Sequence, residues 1–372
     1  MSAAVDVISH EEFVPSISSK YSDVIGHKLG GSIISFSDEW FAAAENLIAP
    51  NAPIRQIGKF TPAGAWYDGW ETRRHNTEPA DWVIIKLGVA SAQLIATEID
   101  TAFFNGNHAP AITVEATYLA PSEKLEVSER EYLEKQANWD LVIDKTECGP
   151  SQRHFFVRKD GLTDKVYTHA RIKMYPDGGI ARFRLYGKPT AVKPTDPNEE
   201  VDLAHVANGG VAISFSDQHF GAVDNLLIPG RGKDMGDGWE TKRSREQGHV
   251  DWVIVRLGLP GYLDRVVIDT AHFKGNFPQS ITVEGLNSDD DNITVDDARW
   301  KFVVPQAKTG PHKVHEYIRE GEISFLTHVE AENKESYGVL QATKEQVYTH
   351  VKLTIIPDGG VKRLRVYGRV KF

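Results

Sequence analysis

Cysteine occurs once in 372 residues, as Cys148. That excludes an internal disulfide and any zinc site built from several thiolates. Cys148 is not expected to be a nucleophile, because Thr309 stands at the matching place later in the chain. No apolar run approaches the roughly 20 residues that span a bilayer. Asp6, Glu11 and Glu12 sit where a secretory signal would carry basic and then apolar residues, and Arg369-Val370-Lys371-Phe372 is not a peroxisomal address. A cytosolic protein is expected. Positive charge is in deficit, with 42 Lys and Arg against 52 Asp and Glu and a net charge of −10. This argues against a nucleic-acid footprint or a basic membrane patch, though a pocket for a small anion can still be locally basic. There is no Gly-x-Ser-x-Gly elbow, Gly-rich phosphate loop, His-Glu-x-x-His or dinucleotide fingerprint. No ligand spacing calls for a metal, and no cofactor is expected.

The chain writes much of itself twice. Asp68-Gly69-Trp70-Glu71-Thr72-Arg73-Arg74 returns 169 positions later as Asp237-Gly238-Trp239-Glu240-Thr241-Lys242-Arg243. Asp81-Trp82-Val83-Ile84-Ile85-Lys86-Leu87-Gly88 is matched by Asp251-Trp252-Val253-Ile254-Val255-Arg256-Leu257-Gly258. Ile99-Asp100-Thr101-Ala102 through Asn107 is matched by Ile268-Asp269-Thr270-Ala271 through Asn276. Two copies of this size are two domains rather than a solenoid. The copies are expected at 26–188 and 200–372, after a lead-in at 1–25. The linker at 189–199 is kept extended by Pro189, Pro194 and Pro197.

Within each copy, Ser37 and Asp38 are N-cap types before 40–48, which reads as a short helix ended by Pro50. Everything after it reads as short strands and turns. Residues 112–116 alternate as a half-buried strand does, and Pro176-Asp177-Gly178-Gly179 reads as the turn of a closing hairpin, repeated at 357–360. The expected architecture is all-β: two tandem jelly-roll, galactose-binding-like antiparallel sandwiches. Residues 318–347 have no counterpart in the first copy, and this insertion is expected to make subunit or interdomain contacts.

The polar residues retained by both copies are the candidate site. Glu71 and Glu240, Asp100 and Asp269, and His169 and His350 are the candidates for acid, base and proton transfer. Asp68, Arg74 and Asn107, with Asp237, Arg243 and Asn276, are the candidates for holding a ligand, since guanidinium and carboxylate groups bind by paired hydrogen bonds. Each has an ordinary alternative. The Asp-Gly-Trp-Glu segment can be a structural corner, Asp100 an Asx turn, and a strand histidine a satisfied core group. His154 and His315 follow Gly-Pro, and Arg182 and Arg184 (with Arg363 and Arg365) alternate along the last strand, where a paired or solvated face is the plain reading.

Together these motifs resemble the allantoicase family over nearly the whole chain. They are Asp-Gly-Trp-Glu-Thr-Arg-Arg, Asp-Trp-Val-Ile-x-x-Leu-Gly, Asp-Thr-Ala-x-Phe-x-Gly-Asn, and the terminal Pro-Asp-Gly-Gly with Arg-x-Arg-x-Tyr-Gly. The resemblance implies the two-repeat jelly-roll layout and a hydrolase of ureide degradation, converting allantoate and water to ureidoglycolate and urea. It carries no settled list of catalytic residues. The implied partner is the small molecule allantoate, and a homo-oligomer is expected. A site in each repeat, one active copy, and a site between subunits all stay open. The competing class is a non-catalytic, lectin-like pair of binding modules on the same fold. A different ureide or amidine hydrolase would differ only in substrate.

Overall fold

The computed structural model describes residues 3–120, 123–319, 336–341 and 345–372. The chain divides into two compact units, Met1–Thr190 and Ala191–Phe372.

Unit 1 stacks two five-stranded antiparallel sheets. One runs Val5–Val7, Arg153–Arg158, Ser91–Asp100, Arg182–Thr190, Ser22–Asp23; the other runs Asp140–Glu147, Ala111–Thr117, His169–Tyr175, Asp81–Lys86, Ser32–Phe36. β-Branched and aliphatic residues fill the space between them, with Ile85, Ile99, Val114, Ile172 and Phe183 fully buried around Trp70. The lead-in is part of this unit. Val5–Val7 extends the first sheet at its edge, and Phe13 and Ile17 pack with Ile95 and Phe155.

Unit 2 follows the same path with one strand run together. Asp251–Asp269 is continuous over 19 residues where unit 1 breaks into Asp81–Lys86 and Ser91–Asp100. It pairs with Val347–Ile356 along its first part and with Arg363–Val370 along its second, so it passes from one layer into the other. Ser336–Leu340 runs parallel to Val314–Arg319, an exception to the antiparallel pattern. The contacts expected of 318–347 fall mostly on 320–335 and 342–344, outside the described residues. No helix of the described residues is long and apolar enough to cross a membrane.

Three local expectations are corrected. The helix expected over 40–48 is a single 3-10 segment, Ala44–Ile48. Ahead of it the chain stays extended, because Phe41 and Ala42 donate their amides to the Glu71 carbonyl and the Glu39 carboxylate caps Ala44 N. A seven-residue helix at Glu129–Lys135 had not been anticipated, though Ser128 accepts from Glu131 N as an N-cap should. Finally, residues 171–186 are not a hairpin. His169–Tyr175 and Arg182–Thr190 belong to different sheets, and Gly179–Ile180 between them pairs with Trp70–Glu71.

Candidate functional site

That crossover builds a four-chain corner around Glu71. Glu71 pairs antiparallel with Gly179 on one side and Ala42 on the other, and Gly179 bridges onward to His108. The two glycines are required by contact. Gly178 has φ 142°, and a Cβ there would lie 2.7 Å from the His108 carbonyl oxygen; one on Gly179 would lie 2.3 Å from the Phe104 ring. Unit 2 repeats the corner with Glu240, Gly360 and Gly221, and with Gly359 at φ 132°.

Trp70 is wholly buried and its indole N–H donates to the Asp38 carbonyl at 2.7 Å, a core role rather than a stacking platform. Glu71 is the next residue, so its side chain leaves on the opposite face. It is 7% exposed. Asn107 Nδ2 donates to Glu71 Oε1 at 2.6 Å. Burial pushes the Glu71 carboxyl up from its ordinary range, against the Asn107 hydrogen bond and the charge of Arg74. Arg74 is held by Asp177, which accepts from Arg74 Nη1 at 2.6 Å and from His75 N at 2.8 Å. Asn276 donates to Glu240 in the same way, while Asp358 accepts from Ser244 N at 2.8 Å and Arg243 stands exposed.

Glu71, Arg74 and Asn107 are therefore brought together, as are Glu240 and Asn276. Asp68 turns away into a clamp. Its Oδ2 accepts from Arg182 Nη2 and from Ile54 N, each at 2.9 Å, and the same guanidinium reaches the carbonyls of Asn51, Asp68 and Ala181. Asp237 is engaged likewise by Arg363 and Lys362. Asp100 lies at the same end of the sandwich as Glu71, since its carbonyl accepts from Ala181 N at 2.7 Å. Its carboxylate caps Ala102 N at 2.8 Å as an Asx turn, and burial raises its pKa. Asp269 caps Ala271 N and also takes both arms of Arg231, at 2.7 and 3.0 Å.

His169 and His350 are not with them. His169 begins the His169–Tyr175 strand and the Glu71 corner lies beyond its far end, so the two are separated by roughly 20 Å at about 3.3 Å per residue. His169 is 1% exposed, and burial pushes it down to about 4. His154 faces Gly149 and stacks on Phe156, a satisfied position. Cys148 is buried and its thiol is pushed up to about 12 by desolvation, too high for a thiolate nucleophile near neutral pH.

Asp38 and Asp177, expected as an N-cap and a turn residue, instead anchor Arg73 and Arg74 from 35 and 103 residues away, a role without a local sequence signal. Among the described residues no group of three or more His, Cys, Asp or Glu is placed to hold a metal ion.

Comparison with known proteins bears on the whole chain. A family model described as the allantoicase repeat matches residues 22–190 and again 201–371. The allantoicase of Saccharomyces cerevisiae is 54% identical over 351 residues, covering 94% of each chain. That of Neurospora crassa is 48% identical over 363 residues, covering 97% of this chain and 95% of its own. The crystal structure of the Saccharomyces cerevisiae allantoicase aligns over 98% of this chain and 100% of its own, with a TM-score of 0.71 at 51% identity.

Proposed function

The chain belongs to the allantoicase family and is a hydrolase that cleaves a C–N bond of allantoate, giving ureidoglycolate and urea; we propose that the Glu71 corner, with its Glu240 counterpart, is where it does so. The observation that supports this placement is a buried carboxyl of raised pKa, fixed through one oxygen by Asn107 and facing an anchored guanidinium.

Allantoate carries a carboxylate and two ureido groups on one carbon. Arg74, half-exposed and oriented by Asp177, is suited to receive the carboxylate. Glu71, protonated more readily than an ordinary glutamate, gives its proton through Oε2 to the nitrogen of the departing ureido group. The lone pair of the remaining ureido nitrogen forms a C=N bond as the C–N bond breaks and urea leaves. Water then adds to that carbon, and the Glu71 carboxylate takes the proton it releases. The proton balance closes on one residue, so neither a covalent nucleophile nor a histidine is needed. Asp100, at the same end and also of raised pKa, is the next candidate for directing the water.

Glu71→Gln and Glu240→Gln, made separately, test this reading. Losing a transition-state proton donor costs the affected corner on the order of a hundredfold or more in kcat/KM, so each single change leaves only the turnover of the other corner and the double change removes that as well. Folding should not suffer, because a carboxyl whose pKa is raised by burial is destabilising when ionised. Parent rates of urea release in both folded variants would remove the corner from the reaction. We read the chain as a homo-oligomer as well, a reading supported by the exposure of Ile57 and Phe60 on the 50–68 loop and tested by light scattering.

A further inference from the structure

The end of unit 1 away from the Glu71 corner holds a second polar cluster with a cavity of its own. Lys86, Glu129, Thr168 and His169 line a space of about 350 Å³, walled by apolar side chains such as Leu119 and Leu125. Glu129 Oε1 accepts from Lys86 Nζ at 2.8 Å and faces His169 Nε2 at 3.2 Å. The second distance is an ion-pair contact without hydrogen-bond geometry, so Nε2 is buried without a hydrogen bond. Thr168 Oγ1 accepts from Leu119 N and lies 2.9 Å from His169 Nδ1. Either atom of that pair can be the donor, since the Thr168 hydroxyl also has the Thr117 carbonyl as an acceptor at 3.5 Å. Glu129 Oε2 receives no hydrogen bond from a described residue. Burial works against the charge of Glu129, but the Lys86 hydrogen bond and charge, with His169, hold its carboxyl below the usual range.

Unit 2 brings the same residue types together by different means, with both oxygens of its acid engaged. Thr349 Oγ1 lies 2.9 Å from His350 Nδ1, His350 Nε2 is hydrogen-bonded to Asp291 Oδ1 at 3.2 Å, and Arg256 Nη1 donates to Asp291 Oδ2 at 2.6 Å. The threonine, histidine and cation occupy matching places in the two copies. The acids do not: Glu129 begins a helix, whereas Asp291 sits in a loop after the Ser280–Leu286 strand. A corner merely inherited by duplication would keep its acid in place. Two separate acids brought within 3.2 Å of the histidine, with a hydrogen bond in unit 2 and without one in unit 1, point to a histidine–carboxylate–cation set that the protein uses.

We infer that the unit 1 cavity is a second ligand site, distinct from the reaction centre, which takes the ureido group of a small ureido acid. A ureido group presents N–H donors and a carbonyl acceptor in one plane. Glu129 Oε2 and the remaining Lys86 donors are the complementary partners, in a pocket whose apolar walls limit competition from water. The ligand class rests on the allantoate reading; the site does not.

The probe is hydantoate, N-carbamoylglycine, which has one ureido group and no second one to expel. It is titrated by calorimetry into full-length Glu71→Gln/Glu240→Gln protein with 15N-labelled histidine, and the His169 imidazole resonances are followed. Saturable binding that moves the His169 signals, and that weakens about tenfold or more when Glu129→Gln or Lys86→Met is added, is the expected result. Both side chains are partly exposed, so neither change should prevent folding. No binding, no movement of the His169 signals, or an affinity unchanged by both added substitutions would overturn the site. Loss of allantoate turnover in Glu129→Gln alone would also overturn it, by making this cavity the reaction centre. The Glu71 reading stands or falls separately, on the turnover of Glu71→Gln.

Discussion

Arg182→Met asks whether Asp68 serves a ligand or the fold. Arg182 is 4% exposed, and its guanidinium donates to Asn51 O at 2.8 Å, Asp68 O at 3.2 Å, Ala181 O at 2.7 Å and Asp68 Oδ2 at 2.9 Å. Its removal leaves three carbonyls without that donor and a largely buried carboxylate with Ile54 N but no cation. Breaking a buried pair from one side costs about 3–5 kcal/mol. Water reaching the exposed 50–68 loop relieves part of that, so the lower half of the range applies. In a unit of this size each kcal/mol moves Tm by about 2–4 °C, so the unit 1 transition should fall by roughly 6–16 °C while unit 2 melts unchanged. Asp68→Asn keeps an acceptor for the guanidinium and should cost about 1–2 kcal/mol. Differential scanning calorimetry separates the transitions, and kcat/KM per folded molecule is measured alongside. An unchanged melt of Arg182→Met with a raised KM for allantoate would refute the clamp and return Asp68 to the substrate.

Gly178→Ala should cost about 2 kcal/mol or more in a denaturant titration, because φ of 142° and a Cβ 2.7 Å from the His108 carbonyl oxygen both oppose it; a neutral change would mean that the corner is loosely held. His169 lies at about 4 in the folded chain against 6.5 unfolded, so the unfolded chain binds more protons between those values. Its contribution is complete above pH 6.5 and lost as pH falls through 4, about 3 kcal/mol in all, and His205 acts in the same direction; a flat stability profile across that window would contradict their burial as neutral imidazoles. Cys148, buried and pushed up to about 12, should resist alkylation at pH 8 until the chain is denatured, which a thiol-counting assay with and without denaturant reports.

Much of the fold was legible because duplication writes the same pattern twice, and period-two apolar runs between turn residues admit few architectures. What sequence could not rank was competition between local and distant partners. Residues 40–48 have helix-like composition, yet the amides of Phe41 and Ala42 find the Glu71 carbonyl, and pairing across thirty residues outweighs propensity. Asp68 and Glu71 stand three apart in one motif and read alike. They part because the clamp formed by Arg182 draws one inward while Asn107 holds the other at the rim. His169 looked eligible for the same site because a motif shows which residue types recur and not which end of a strand they occupy. Asp38 and Asp177 carry local signals only for a cap and a turn, since each takes its role at the corner from an arginine far along the chain.

The two corners are not equivalent. Asp177 is 5% exposed and fixes both Arg74 Nη1 and His75 N, so Arg74 is oriented before any substrate arrives. Arg243 has no ion pair among the described residues, and must lose side-chain freedom on binding at a cost of about 0.5–1.5 kcal/mol. Glu71 is also more deeply buried than Glu240, and the residue after the glutamate-binding asparagine is His108 in unit 1 but Phe277 in unit 2. Pre-orientation alone is worth about two- to tenfold in kcat/KM, and a less desolvated Glu240 adds to it in the same direction. Unit 1 should therefore carry most of the turnover. Glu71→Gln should remove at least several times more of the allantoate kcat/KM than Glu240→Gln, and Asp177→Asn, by freeing Arg74, should raise KM toward that of a protein working through unit 2 alone. Equal losses from the two glutamate changes, or an Asp177→Asn variant with parent KM, would show that the anchored arginine confers no advantage.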